Sequence, residues 1–241
     1  MRAAIQQANA TAGADTINFA IPGTGVKTIA VGAAGLGALP TITDPVTING
    51  YTQPGASPNT KVVGNDAVLK IELNGANVNS GDGLLITHVS GSSVIKGLVI
   101  NRFGEGISIK GDTVGNRIEG NFIGTDPTGT IDRGNTDDGV NVFDGASENV
   151  VGGTTPAARN LISGNAVNAV FVSNATGNLI QGNYIGTDKT GTKSLPNGDV
   201  FGGVTAVVIS NSSGNTVGGT TAGARNLISG NNSDGVGIFG D

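Results

Sequence analysis

The segment Asn149-Val-Val-Gly-Gly-Thr-Thr-Pro-Ala-Ala-Arg-Asn-Leu-Ile-Ser-Gly-Asn165 returns 66 residues later as Asn215-Thr-Val-Gly-Gly-Thr-Thr-Ala-Gly-Ala-Arg-Asn-Leu-Ile-Ser-Gly-Asn231. A second repeat interleaves with it, since Asn116-Arg-Ile-Glu-Gly-Asn-Phe-Ile-Gly-Thr-Asp-Pro-Thr-Gly-Thr130 returns 62 residues later as Asn178-Leu-Ile-Gln-Gly-Asn-Tyr-Ile-Gly-Thr-Asp-Lys-Thr-Gly-Thr192. Recurrence at a regular spacing is the signature of a repeat architecture, in which each unit stacks on its neighbours. The repeats therefore predict a stacked array of similar structural units.

Beneath these repeats lies a shorter unit, marked by two apolar residues that one residue separates. This step recurs at intervals of 23 to 37 residues, and two further short apolar runs bounded by Gly or Asn follow it. Three short strands per unit, with no helical periodicity between them, predict a parallel β-helix of about eight coils rather than a propeller, whose blades need four antiparallel strands. The steps are Leu84/Ile86, Ile107/Ile109, Val140/Val142, Val170/Val172, Val207/Ile209 and Val236/Ile238.

The N-terminal segment differs from the rest because it is rich in Ala and Gln and contains neither Gly nor Pro. Residues 2–9 place Ala4, Ile5 and Ala8 on one helical face, which predicts a short α-helix. An open end of a β-helix exposes strand edges and core side chains. The helix is therefore expected to cap the first coil.

We expect a single domain. Its last repeat stops midway, at Gly237 to Asp241, so we expect a fragment of a longer array or an open end that stacks on another copy of the chain. The expected segments of the domain are a helical cap over residues 1–12, divergent first coils over 13–80 and regular coils over 81–241.

Asparagine marks the corners between strands, where the backbone bends sharply. Two sets of Asn fall at equivalent positions of successive coils, and we expect each set to stack about 4.8 Å apart as an amide ladder. Such ladders satisfy polar side chains at buried corners. One set is Asn116, Asn149, Asn178 and Asn215, and the other is Asn121, Asn160, Asn183 and Asn226.

The composition excludes several classes of protein. Charged residues make up 13% of the 241 residues, and 42 residues are Gly, which disfavours an ordinary helical bundle. The net charge of −5 and the absence of Lys/Arg clusters argue against a nucleic-acid partner. The chain has no Cys, so it has neither disulfides nor thiolate metal sites. No apolar run approaches the roughly 18 residues of a membrane span, and no cofactor is expected.

The repeated Gly-Asn-x-Ile-Gly-Thr-Asp and Gly-Gly-Thr-Thr-x-x-Ala-Arg units resemble those of right-handed parallel β-helix repeat proteins of bacteria, within the pectin-lyase-like superfamily. The opening segment, from Arg2 to Phe19, resembles the Cys-Ser-Leu-Arg-Glu-Ala-Ile segment of many such proteins, although the Cys-Ser is absent and Ala3 stands in place of Glu. The resemblance implies a right-handed helix and a secreted or surface location. It leaves activity open, since the superfamily includes lyases, hydrolases, epimerases and adhesins.

Asn135-Thr136-Asp137-Asp138 resembles the carboxylate motif of polygalacturonases, in which one Asp protonates the glycosidic oxygen while others activate water. Turn chemistry is the favoured interpretation, because Asp-Gly also precedes the apolar step at Asp82 and Asp234. The only histidine, His88, lies in a strand-like segment, and a structural role is favoured for it.

A lyase needs carboxylates that converge on Ca²⁺ and a basic side chain that takes a proton. The one local group of charges that fits is Arg102, Glu105, Lys110 and Asp112, followed by Arg117 and Glu119. Alternating solvated charges explain this group as well. If the chain is an enzyme, the expected catalytic residues are Arg102, Asp137 and Asp138.

Two types of loop are expected to project from opposite ends of one strand column, and each recurs every second coil, about 10 Å apart. One type spans residues 124–130 and 186–192, and the other spans residues 152–159 and 218–225. Such rows can bind a repeating polymer, and Asp126 and Asp188 can take part in Ca²⁺ binding. Turn chemistry and Arg-to-carbonyl hydrogen bonds are the favoured alternative. Ice binding is disfavoured because the Thr residues lie in loops. The candidate ligand-binding residues are Thr125, Asp126, Thr187, Asp188, Arg159 and Arg225.

Near-identical repeats serve spacing and multivalency, whereas an active site needs a unique coil. The first hypothesis is therefore a non-catalytic extracellular or cell-surface module, acting as stalk, adhesin or matrix component, that contacts polysaccharide. The alternatives are a polysaccharide lyase or glycoside hydrolase, and a subunit that assembles head to tail through its open C-terminal end.

Overall fold

The computed structural model describes residues 1–87, 91–198 and 205–240 of the chain. These residues form one α-helix, α1 (Arg2–Ala10), and twenty β-strands, numbered in chain order, in three parallel sheets. The structure thus confirms the predicted all-β parallel β-helix with an N-terminal helix. Among the described residues, no helix has both the length and the apolar character that crossing a membrane requires.

The chain visits the three sheets in a fixed order, A, then B, then C, before it starts the next turn. Sheet A contains β1 (Asp15–Asn18), β3 (Val46–Asn49), β6 (Val94–Lys96), β9 (Arg117–Glu119), β12 (Val150–Gly152), β15 (Leu179–Gln181) and β18 (Thr216–Val217). Sheet B contains β2 (Lys27–Ala30), β4 (Ile71–Asn74), β7 (Leu98–Asn101), β10 (Phe122–Ile123), β13 (Leu161–Ile162), β16 (Tyr184–Ile185) and β19 (Leu227–Ile228). Sheet C contains β5 (Leu84–Thr87), β8 (Ile107–Lys110), β11 (Val140–Phe143), β14 (Val170–Ser173), β17 (Val207–Ser210) and β20 (Val236–Phe239).

The described residues build seven turns, one fewer than the eight expected. Sheets A and B have seven strands each, and sheet C has six. In the first turn the place of the sheet C strand is taken by a single bridge, in which Ile42 pairs with Ile86. The long segment between β3 and β4 adds no turn of its own. Four short 3₁₀ turns complete the connections: Ala33–Gly35, Gly50–Thr52, Pro156–Ala158 and Ala222–Ala224.

The apolar steps of the sequence are the inward-facing residues of sheet C. Each pair lies in register with the next, as Val140 and Val142 do with Ile107 and Ile109. These side chains join inward residues of sheets A and B in one continuous core. Helix α1 closes the first turn with Ile5, which is fully buried.

Three amide ladders run along the corners. The two predicted ladders are present: Asn149 accepts from the side chain of Asn116 at 2.8 Å and donates to Asn178 at 2.9 Å. Each Asn oxygen also accepts a backbone N–H of the preceding turn, as Asn149 does from Asn116 at 2.9 Å. A third ladder precedes sheet C and was missed, although its Asn closes both copies of Ser-Gly-Asn. The ladders are Asn116–Asn149–Asn178–Asn215, Asn121–Asn160–Asn183–Asn226 and Asn135–Asn165–Asn197–Asn231.

Residues 50–70, here called the strap, run across the outer face of sheet B. Its two arms meet where Ser57 and Val68 exchange backbone hydrogen bonds of 3.0 and 2.9 Å. Below the strap, outward side chains of successive sheet B strands form a second apolar cluster, which the strap covers with Ala67 and Leu69. Outward-facing residues of this cluster are Val99, Phe122, Leu161 and Tyr184.

Candidate functional sites

Acidic side chains stack at the turn that leads into sheet C. Glu105 and Asp138 each lie two residues before the first inward residue of their strand, and Asp82 holds the same place one turn earlier. Carboxylate oxygens of Glu105, Asp137 and Asp138 lie within 4.8 Å of one another. We call these three residues the acid cluster. Because consecutive turns are about 4.8 Å apart, the fold itself brings the carboxylates together.

The pKa of Glu105 is raised to about 8, first by burial and then by the charges of Asp138 and Asp137. Burial likewise raises the pKa of Asp138 to about 7, against the opposing effect of hydrogen bonds from Asn168. Asp137 is the most exposed member, and partial burial raises the pKa of its carboxyl too. At neutral pH the acid cluster therefore holds at least one proton.

Neighbouring amides fix the orientation of two members of the acid cluster. Asp138, only 4% exposed, accepts bonds of 2.8 Å from both the backbone and the side chain of Asn168. Glu105 accepts from the Asn141 side chain at 3.2 Å and from the Asp138 backbone at 3.2 Å. Asp138 thus links two turns, while Asp137 makes no side-chain bond to another described residue.

Two kinds of chemistry fit this arrangement. Converging carboxylate oxygens are the ligands of a hard cation such as Ca²⁺, which takes six to eight oxygens in all. Alternatively, a protonated carboxyl with a raised pKa can act as a general acid. No Lys or Arg side chain in the described residues forms an ion pair with the acid cluster.

The structure separates the charged residues that were considered as a lyase site. Arg102 is exposed, at a φ of 61°, and its guanidinium has no bonding partner among the described residues. Arg117 and Glu119 pair with each other on sheet A, at 3.1 Å. Lys110 pairs with Asp144 at 3.7 Å, and Asp112 is exposed. Of the expected catalytic residues, only Asp137 and Asp138 meet, and Glu105 joins them instead of Arg102.

Outward side chains of sheet C form a surface beside the acid cluster, here called the sheet C face. Asn141, the partner of Glu105, lies in register between Ser108 and Phe171. In the next outward row, the Lys110 ammonium lies 5.1 Å from the centre of the Phe143 ring. Both Phe side chains are partly exposed. The face comprises Ser108, Lys110, Asn141, Phe143, Phe171 and Ser173.

In each Gly-Thr-Asp-x-Thr-Gly-Thr loop, the Asp side chain is hydrogen-bonded within its own loop. Asp126 accepts hydrogen bonds from the Thr128 hydroxyl and from the Thr130 and Ile131 backbone, and these bonds lower its pKa despite partial burial. Asp188 has the same bonds in the second loop. Thr125 and Thr187 are buried at the base of each loop. The two loops touch, since the Lys189 N–H donates to the Gly129 carbonyl at 2.9 Å.

The two Arg residues of the other loop type have different surroundings. Arg159 donates to the carbonyls of Lys61 at 3.0 Å, Val62 at 2.8 Å and Gly64, all in the strap. Its guanidinium lies 4.5 Å from the centre of the Tyr184 ring. Arg225 is exposed, and its guanidinium has no partner among the described residues.

The sequence pattern contained a signal for the role of Glu105 that the analysis of charges missed. Glu105-Gly106-Ile107 has the same spacing to its apolar step as Asp138-Gly139-Val140, so both acids belong to one column. Phe143 and Phe171 occupy the outward positions of two predicted strands, and their position beside the acid cluster follows only from strand register. His88 lies outside the described residues.

Comparison with protein-family models, with curated proteins and with solved structures finds no match for this chain.

Proposed function

We propose that this chain is a non-catalytic β-helix repeat module that contacts polysaccharide through the sheet C face. The observation that carries the proposal is the juxtaposition of two partly exposed Phe rings, Phe143 and Phe171, with the amide and carboxyl groups around Asn141. A sugar ring has an apolar face of C–H groups and a rim of hydroxyls. Such a ligand fits a surface that offers apolar rings beside hydrogen-bonding groups.

Charge indicates which class of polysaccharide this surface favours. The acid cluster and the net charge of −5 repel polymers of uronic acids, so we propose neutral glycans as the ligand. A divalent cation held by the acid cluster would reverse that preference, because it would bridge protein and uronate carboxylates. The proposal therefore includes a dependence on Ca²⁺ for acidic polymers and none for neutral ones.

The test is affinity electrophoresis of the purified chain in gels that contain neutral or acidic polysaccharides, with Ca²⁺ or with a chelator. We expect retardation by at least one neutral polymer, which Phe171→Ala weakens at least fivefold. The matched control is Phe19→Leu, a conservative change at a buried aromatic in the first turns, which should leave retardation unchanged. The absence of retardation by every polymer, or equal retardation of the Phe171→Ala variant, would refute the proposal.

A glycoside hydrolase is the second candidate, and the raised pKa of Glu105, about 8, favours it. A protonated Glu105 would donate its proton to the glycosidic oxygen, which leaves as an alcohol, while the ionised carboxylate of the more exposed Asp137 forms a bond to the anomeric carbon. Water, deprotonated by Glu105, would then hydrolyse this ester and restore both carboxyl groups. The separation of at most 4.8 Å between their oxygens is shorter than the roughly 6.5–9.5 Å of inverting enzymes and closer to the retaining arrangement.

Release of reducing ends from the same polysaccharides tests this candidate. A hydrolase would show saturable turnover that both Glu105→Gln and Asp137→Asn reduce at least a hundredfold. Asp234→Asn, at the equivalent exposed turn of the last coil, is the matched control. Binding without any such turnover would leave the non-catalytic module as the function.

Two further points complete the proposal. The resemblance to bacterial surface repeat proteins supports a secreted or cell-surface role as stalk, adhesin or matrix component. Self-association through the C-terminal end also stays a prediction. Light scattering of dilute protein tests it, and a strictly monomeric sample would contradict it.

A further inference from the structure

The two Gly-Gly-Thr-Thr-x-x-Ala-Arg loops have nearly the same backbone conformation, but their Arg side chains have different neighbours. Thr155 and Thr221 begin the two 3₁₀ turns with ψ of 152° each, and Arg159 and Arg225 end them with φ of −60° and −66°. The loops stack directly, because a Cβ on Gly223 would overlap the Thr154 carbonyl. Both Arg side chains therefore extend from equivalent backbone positions along the outer face of sheet B.

Around Arg159 the structure shows which groups this type of loop binds. Three strap carbonyls, those of Lys61, Val62 and Gly64, accept from its guanidinium. The backbone N–H of Gly64 donates to the Tyr184 hydroxyl at 2.7 Å. The loop that ends at Arg159 thus binds a short irregular segment of peptide backbone, whose carbonyl oxygens accept hydrogen bonds from the guanidinium. A guanidinium suits this task because it presents five donors in a rigid fork.

Next to the strap tip, the surface beside Arg225 forms a groove of about 610 Å³. Its floor continues the apolar cluster, since Leu227 lies in register with Tyr184. Val62 and Val63, 76% and 74% exposed, form one rim. The volume lies in the range of ligand sites, about 300–1,000 Å³. We call this surface the Arg225 groove, lined by Val62, Val63, Tyr184, Thr192, Arg225 and Leu227.

We propose that the Arg225 groove binds a short peptide segment of a partner protein, whose backbone carbonyls accept from Arg225 and whose apolar side chains contact Val62, Val63 and Leu227. Two observations favour this occupant. The groove continues the surface on which the strap lies, where the Arg of the same motif already binds a backbone segment. In addition, the exposed Val62 and Val63 and the partly exposed Leu227 offer apolar contacts to the side chains of such a segment. The groove lies on sheet B, so the proposal is independent of glycan binding at the sheet C face.

The experiment titrates the full chain with an acetylated and amidated peptide of the strap tip, Thr-Lys-Val-Val-Gly-Asn, and follows amide chemical shifts by NMR. We expect shifts at residues 222–228 that saturate. Arg225→Ala should weaken binding tenfold or more, since hydrogen bonds to charged groups are lost. Arg225→Lys, which keeps the charge but not the fork, should weaken it similarly. Arg133→Ala, at another exposed Arg, is the control and should have no effect.

Each other occupant of the groove gives a different result. Dimerisation that Arg225→Ala abolishes, without peptide binding, would assign the groove to a second copy and overturn the proposal. Saturable binding of acetate or phosphate at residues 222–228, with no response to the peptide, would assign it to a small anion. Peptide binding that Arg225→Ala leaves unchanged would also contradict the proposal.

Discussion

At the residue scale, the stacking of turns places equivalent side chains next to one another and so determines their interactions. A residue type that recurs at one place in each turn meets its own kind about 4.8 Å away. For Asn the result is favourable, because each amide is both donor and acceptor and the ladder is satisfied from turn to turn. For acids the result is unfavourable, since Asp82, Glu105 and Asp138 follow one another in a single column. Proton uptake by the acid cluster relieves this repulsion.

Replacing Glu105 with Gln should stabilise the protein at alkaline pH and flatten its pH dependence. Because the folded-state pKa of Glu105, about 8, lies above its ordinary value of 4.5, its stabilising contribution is full below pH 4.5 and is lost as the pH rises through 8. Gln imitates the protonated form. At pH 9 we expect the free energy of unfolding to rise by about 1–2 kcal/mol, discounted for partial solvent screening.

Urea unfolding from pH 4 to pH 9 measures this effect, with Asp234→Asn as the control at the equivalent turn. Parallel pH profiles for Glu105→Gln and the unmodified chain would show that the carboxyl of Glu105 is not destabilised by its neighbours.

At the element scale, turns of nearly identical sequence have different surroundings. Gly152 and Gly218 occupy the same place in the two long repeats, with φ of 91° and 93°. A Cβ on Gly152 would overlap the Gln181 carbonyl of the next turn, whereas a Cβ on Gly218 would meet nothing within 4 Å. The pair thus separates the cost of the backbone conformation from the cost of close stacking.

Gly218→Ala should cost about 1–2 kcal/mol, the strain of a side chain at positive φ. Gly152→Ala carries the same strain and must also push two turns apart, so we expect at least about 2 kcal/mol more. Thermal unfolding followed by circular dichroism compares the two variants. Equal shifts in Tm would mean that stacking between turns tolerates the extra methyl group.

The strap is the second element whose stability can be tested directly. Arg159 is its main attachment at the tip, and Lys61 is an exposed trypsin site within the tip. Arg159→Ala removes the bonds to the strap and the contact with Tyr184. We therefore expect trypsin to cleave after Lys61 at least tenfold faster, because local opening then costs less free energy.

Mass spectrometry of timed digests locates the cleavage, and Arg225→Ala is the matched control that should leave the rate unchanged. If Arg159→Ala and Arg225→Ala were cleaved at the same rate, the hydrogen bonds of Arg159 would not be what retains the strap.

The path of the strap illustrates what the sequence could not provide. The apolar steps and Asn positions predicted strands, sheets and two ladders, because those features repeat and depend on neighbours one turn away. The strap occurs once, and its contact between Asn59 and Pro156 joins residues 97 positions apart. The acid cluster has an intermediate status, since the shared spacing of Glu105 and Asp138 was visible but the resulting pKa values depend on burial.

At the scale of the whole molecule, the three sheets divide the surface among different tasks. Sheet B is covered in part by the strap and by loops with internal hydrogen bonds, which leave the Arg225 groove open, and sheet A carries the Arg117–Glu119 pair. The sheet C face combines partly exposed aromatic rings with an acid cluster that has no basic partner among the described residues. We propose that the module contacts its glycan at this face.

Hydrogen–deuterium exchange of the chain, with and without the polysaccharide that retards it most, tests this claim most directly. Slower exchange on glycan addition is predicted at residues 105–110, 137–143 and 168–173, with no change in the loops at 124–134 and 186–196. Protection confined to those loops, or no protection at any of these segments, would contradict the assignment of the glycan to the sheet C face.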